Sequence, residues 1–72
     1  MASVSITDAN GNVFAFPVDD KSDAIRRVSE RLLSAYSRAS VEKALNIWLS
    51  GNMASPLNLG EGKDAMTLKY LN

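Results

Sequence analysis

A chain of 72 residues with neither cysteine nor histidine must hold itself together by packing alone. No disulfide can restrict its unfolded state, and the usual zinc ligands are missing. A domain of this size buries only about 60% of the surface that its unfolded chain exposes. Apolar burial at ~25 cal/mol/Å² then roughly balances ~1.5 kcal/mol of chain entropy per residue. What remains is either a well-packed single domain over residues 1–72 or a subunit that completes its core with a copy of itself.

Residues 3–18 read as a β-hairpin. Val4 and Ile6 alternate with Ser3, Ser5 and Thr7, and Val13-Phe14-Ala15-Phe16 follows as a β-prone run. Between them lies Asp8-Ala9-Asn10-Gly11-Asn12, in which Asn-Gly tolerates the positive φ of tight hairpin turns. Pro17 cannot donate to a ladder, so the second strand ends there or lies at an edge.

Asp19, Asp20 and Ser22 offer competing caps for a first helix over residues 21–37. Its apolar stripe is Ile25, Val28, Leu32, Ala35 and Tyr36, widened by Leu33. Ser40 can cap a second helix over 41–50, and Gly51 is placed to end it in the left-handed conformation. The apolar residues of this helix, Val41, Ala44, Leu45, Ile47, Trp48 and Leu49, span roughly 200° of the wheel, with Ile47 outlying. Residues 52–63, with Pro56, Gly60 and Gly62, read as irregular. The tail 64–71 fits a strand, because Met66, Leu68 and Tyr70 alternate with Thr67 and Lys69, although a short helix also fits.

The expected fold is therefore α+β: an N-terminal β-hairpin, two consecutive helices and a short C-terminal strand. The strand joins the hairpin in a small antiparallel sheet with the helices on one face. The expected core is Val4, Ile6, Phe14, Phe16, Ile25, Val28, Leu32, Tyr36, Leu45, Trp48, Leu49 and Leu68.

Several functional classes lose support. Absence of histidine removes Ser-His and Cys-His nucleophile pairs, and Asp19, Asp20 and Asp23 stand where a helix start favours acids. No catalytic residue, metal ligand or cofactor site is expected. Asp8 to Asp19 only faintly echoes a calcium loop, since the glycine is misplaced and the flanks read as strands. Gly60-Glu61-Gly62-Lys63 lacks the spacing of a phosphate-binding loop. Formal net charge is zero, whereas general nucleic-acid or membrane-surface binders carry a basic excess. The adjacent helices permit a helix-turn-helix reading, but the second opens with Val41-Glu42-Lys43 and lacks base-reading residues. No apolar run approaches ~18 residues and no export signal is visible, so the expected location is the cytoplasm.

One feature points to a partner. All four arginines lie between Asp23 and Ala39. Turned by ~100° per residue along one helix edge, Arg27, Arg31 and Arg38 fall within roughly 40° of each other. In-line guanidinium groups are ready readers of carboxylates. Arg27, Arg31 and Arg38, with apolar anchoring by Ile47, are the expected partner-binding residues, and the partner would be a protein with an acidic surface. The chain then acts as a small non-catalytic adaptor or inhibitor, of the kind common among phage and mobile-element accessory proteins. The alternatives are a dimeric nucleic-acid-binding regulator, with the same arginines on phosphates, and a structural homo-oligomer subunit. An exposed strand edge, or the wide arc of the second helix, would give a homodimer.

Overall fold

The computed structural model describes all residues, 1–72, and has the α+β architecture expected. The element order is β1 (Ala2–Asp8), β2 (Val13–Val18), α1 (Lys21–Leu32), α2 (Arg38–Ser50), β3 (Leu57–Leu59), a 3₁₀ turn (Gly62–Asp64) and β4 (Met66–Leu71). The strands form one antiparallel sheet in the order β2-β1-β4-β3. The tail is a strand, and it lies beside β1 with Ile6 opposite Leu68 and Val4 opposite Tyr70.

Alternation in β1 sorts the two faces of the sheet. Ala2, Val4 and Ile6 are buried beneath the helices, whereas Ser3, Ser5 and Thr7 lie on the open face and are only half-buried. Thr67 extends that polar face and donates to Asn58 Oδ1 across the β3–β4 pair (3.0 Å). An antiparallel sheet with one solvated face has this pattern.

The hairpin turn is built by Asp8. Its Oδ1 accepts from the backbone N–H groups of Asn10 and Asn12, both at 2.9 Å, and Gly11 takes φ +85°. Helix α1 starts with reciprocal caps. Asp20 Oδ1 accepts from Asp23 N–H (2.8 Å), and Asp23 Oδ2 accepts from Asp19 N–H (2.9 Å). This is close to a capping box, with the return bond one residue earlier than usual. Helix α1 buries Ala24, Val28 and Leu32, and α2 buries Val41, Ala44, Leu45 and Trp48. The Trp48 indole N–H donates to the Ser55 carbonyl (2.9 Å), so its polar atom is satisfied inside the core.

Several expectations need correction. The first helix stops at Leu32, not near 37. Ser34 Oγ donates to the Arg31 carbonyl (2.7 Å), a local side-chain bond that competes with helix continuation. The chain then turns so that the Tyr36 hydroxyl reaches the Asp64 carbonyl (2.6 Å). Ser37, not Ser40, caps α2, accepting from Ser40 N–H at 3.3 Å, so the second helix begins at Arg38.

At the far end of α2, Gly51 has φ −90°, and the left-handed conformation falls instead on Asn52 and Met53, both at φ +58°. Buried Met53 anchors that turn, and Met53 N–H closes on the Trp48 carbonyl at 2.8 Å. Residues 52–63 are not wholly irregular, since β3 lies within them with Leu57 and Leu59 inward. Of the expected core, Phe14 and Leu49 stay about half exposed, at 48% and 47%. Phe16, Ile25 and Tyr36 pack partly buried at its margin. Ala2, Val18, Ala24, Val41, Ala44, Met53, Leu57 and Leu59 complete it.

Candidate functional site

The expected row of three arginines does not form. Arg27 stays on α1, where its Nε lies 3.1 Å from Asp23 Oδ2. Arg26 binds the same carboxylate at 2.6 Å and reaches Glu30 at 3.6 Å. Asp23 and Glu30 thereby offset Arg26 and Arg27 within the helix. Arg38 moves to the first position of α2, because α1 ends early. It has no acidic partner there, and a cation at the positive end of a helix dipole is unfavourable. Ile47 is 62% exposed and faces a shallow cleft between α2 and β3, beside Lys43, Pro56 and Leu59. That cleft is separate from the two surfaces lined by Arg27 and Arg31.

Arg31 is the exception. Its guanidinium carbon lies 3.9 Å from the centre of the Phe14 ring and 5.5 Å from that of Phe16. The two rings are 6.0 Å apart and tilted by 43°. Arg31 has no carboxylate within ion-pairing distance, and its side chain donates no hydrogen bond within the chain. Stacking occupies one face of the guanidinium plane and leaves its N–H edge available to an acceptor. Phe14 was expected in the core. It stays about half exposed toward the hairpin turn, whereas Val18 on the same face of β2 is buried.

Two shallow surfaces meet at Arg31. One is a groove of about 430 Å³ lined by Ile6, Asp8, Phe14, Arg31, Leu32 and Met66, among others. The other lies along the β2–α1 seam and is lined by Phe16, Arg27, Glu30 and Arg31. The groove is largely apolar, and its acid is already engaged. Hydrogen bonds from the Asn12 backbone and side chain, then from Asn10 and Gly11, hold the Asp8 carboxyl below its ordinary value of 3.8. The Asp23 carboxyl is likewise lowered, first by the Asp19 backbone N–H and then by Arg27 and Arg26. Both depressed acids have structural causes, a turn and a helix cap. No cluster of acids is placed to hold a metal ion, and no helix is long and apolar enough to cross a membrane.

The loop after β3 closes the same end of the molecule. Gly60 has φ +73°, and a Cβ there would collide with the Asp64 carbonyl oxygen and sit 3.0 Å from the Tyr36 hydroxyl. Its glycine permits the Tyr36–Asp64 bond that helps end α1 and so separates Arg31 from Arg38. The sequence around Gly60 and Gly62 had read only as irregular. The missed element of the site is the pairing of Phe14 with Arg31. Pro17 was the available signal, since it marked β2 as a strand with an uncovered side. Comparison with protein-family models, curated proteins and solved structures finds no match to this chain.

Proposed function

We propose that this protein is a non-catalytic binding module for another protein, acting by occlusion or scaffolding, with Arg31 and Phe14 at the centre of its contact surface. The observation that carries this reading is an arginine with no acid of its own, stacked on an exposed phenylalanine beside an uncovered strand. Arginine and aromatic residues are enriched among the side chains that dominate interface energetics. The stack pre-orients the guanidinium, so less freedom is lost when a carboxylate binds. Arg27 borders the seam but is offset by Asp23, so the charge that raises association rate there is that of Arg31. Arg38 and Ile47, expected partners in the same patch, lie outside it and are assigned no contact.

The test is cross-linking capture from cells of the organism that carries the gene, using wild type, Arg31→Glu and Arg38→Glu. A partner retained by wild type and Arg38→Glu and lost by Arg31→Glu supports the reading. Equal recovery by all three proteins would overturn it.

A further inference from the structure

Resting on that reading, we infer the form of the partner: an extended segment of another protein that adds to the β2 edge as a fifth strand and sets a carboxylate side chain against Arg31.

The backbone supplies the first part. The bond from Asp8 N–H to the Asn12 carbonyl (3.0 Å) marks these residues as a hydrogen-bonded pair. Pairs of this kind alternate along an antiparallel ladder. Ile6–Phe14, Val4–Phe16 and Ala2–Val18 are then the bonded pairs of the observed register. Val13, Ala15 and Pro17 direct their backbone polar groups away from β1, toward the free side. Pro17 occupies one of these outward positions, where a missing N–H costs the β1–β2 ladder nothing. The edge therefore offers the N–H and carbonyl groups of Val13 and Ala15 and the Pro17 carbonyl. Main-chain bonds of this type supply affinity when an extended peptide joins a sheet, and alternate side chains supply specificity.

The side chains supply the second part. Phe14 and Phe16 point to the helix side of β2, where α1 contributes Arg27, Glu30 and Arg31. One row of an added strand's side chains lies over this seam. Arg27 and Glu30 are already paired within α1, so the unmatched charge on the seam is Arg31. It calls for an Asp or Glu in that row, with apolar neighbours against the two phenylalanines. The opposite row passes Val13, Ala15 and Pro17 and tolerates small or polar residues.

A second copy of this chain is the weaker occupant. Antiparallel self-pairing about Ala15 would set each Pro17 opposite Val13 of its mate and leave that Val13 carbonyl unpaired. It would also bring two unmatched Arg31 side chains to one seam, since Asp23 and Glu30 are already engaged.

The experiment is a selection of random peptides of about ten residues on the immobilised full chain, a length sufficient for strand addition. Amide exchange and chemical-shift mapping of the enriched peptides, and light scattering of the free protein, follow. We expect enriched peptides with alternating apolar residues and an Asp or Glu in one row, and slowed exchange at the Val13 and Ala15 amides. Arg31→Glu should weaken them by about ten-fold or more, as for a truncated interfacial charge pair. Ala15→Pro, which removes an outward N–H without touching the β1 ladder, should abolish binding while circular dichroism shows the fold retained. Should Ala15→Pro unfold the chain, the Arg31→Glu result and the amide map decide alone.

Peptides that bind without protecting Val13 and Ala15 would overturn strand addition and leave the wider binding role standing. So would failure of any peptide to enrich, because the capture experiment above is independent of peptide form. A concentration-dependent dimer lost on Ala15→Pro would assign the edge to a second copy and overturn the inference.

Discussion

The two edges of the sheet have been finished differently. At one edge β3 is three residues long, with Leu57 and Leu59 buried and α2 alongside. At the other edge β2 is six residues long, with Val13 and Phe14 65% and 48% exposed. Proteins usually blunt an edge by shortening it, covering it, or placing proline or charge along it. The β3 edge uses the first device, and its two leucines are packed into the core. The β2 edge has one proline near its end and one arginine laid over its aromatic side chains. The contrast separates a boundary closed by core packing from one left open with backbone donors and an unmatched cation.

The largest effect that would sharpen this contrast is Leu59→Ala. Leu59 is 8% exposed, so its truncation should cost about 2–4 kcal/mol in chemical denaturation. A cost below that of Phe14→Ala would reverse the assignment of the two edges. Gly60→Ala is next. Positive φ and the collision with the Asp64 carbonyl should together cost on the order of 2 kcal/mol. Denaturant midpoints read the loss, and a neutral result would mean that the β3–β4 loop does not brace the end of α1.

Phe14→Ala should cost only about 1 kcal/mol, because half the ring is already in water and the cation–π contact is partly exposed. It should nevertheless remove partner capture. A stability loss as large as that of Leu59→Ala would place Phe14 in the structural core and not at a binding edge.

Acid should act on both ends of the β2 region. Asp8 holds the turn before it and Asp23 the helix start after it, and both carboxyls titrate below 3.8 in the folded chain. Groups with depressed folded values stabilise above their unfolded pKa and lose that contribution as pH falls through the folded value. Thermal midpoints should therefore stay level from neutral pH to about 5 and decline below about 4. Asp8→Asn with Asp23→Asn should flatten the decline, and an unchanged slope would remove these carboxylates as its cause.

The smallest change runs the other way. Arg38→Glu replaces a cation at the start of α2 with an anion and should raise stability by about 0.3–1 kcal/mol. Capture should be unaffected, which distinguishes it from Arg31→Glu.

The hairpin was legible because Asn-Gly, strand alternation and Pro17 agree over a short span. The C-terminal strand was partly legible, since its period of two fits a strand while Ala65, Met66, Leu68 and Leu71 also fit a short helix. β3 was not, since three residues carry too little periodicity to stand out from a loop. The error over the first helix was more consequential. Apolar spacing continues through Ala35 and Tyr36 and masks the local stop signal of Ser34. The stop comes from Ser34 on the Arg31 carbonyl and from Tyr36 on the Asp64 carbonyl, the latter a contact with a loop distant in sequence. Three arginines on one wheel thus became one on an ion pair, one on a phenylalanine and one at another helix start.

The sequence was enough for the class of fold, the hairpin, and the buried stripes around Val28, Leu32, Leu45 and Trp48, and it favoured a strand at the end without excluding a short helix. These follow from local period and turn chemistry, which act between residues close along the chain. Tertiary contacts settled how the chain leaves α1, which strand edge stays open and which arginine stacks on Phe14. Each depends on a meeting of segments far apart in sequence: Tyr36 with Asp64, β4 with β1, and Arg31 with Phe14. Periodicity records how a residue faces its own helix or strand and carries no information about which distant group it will meet.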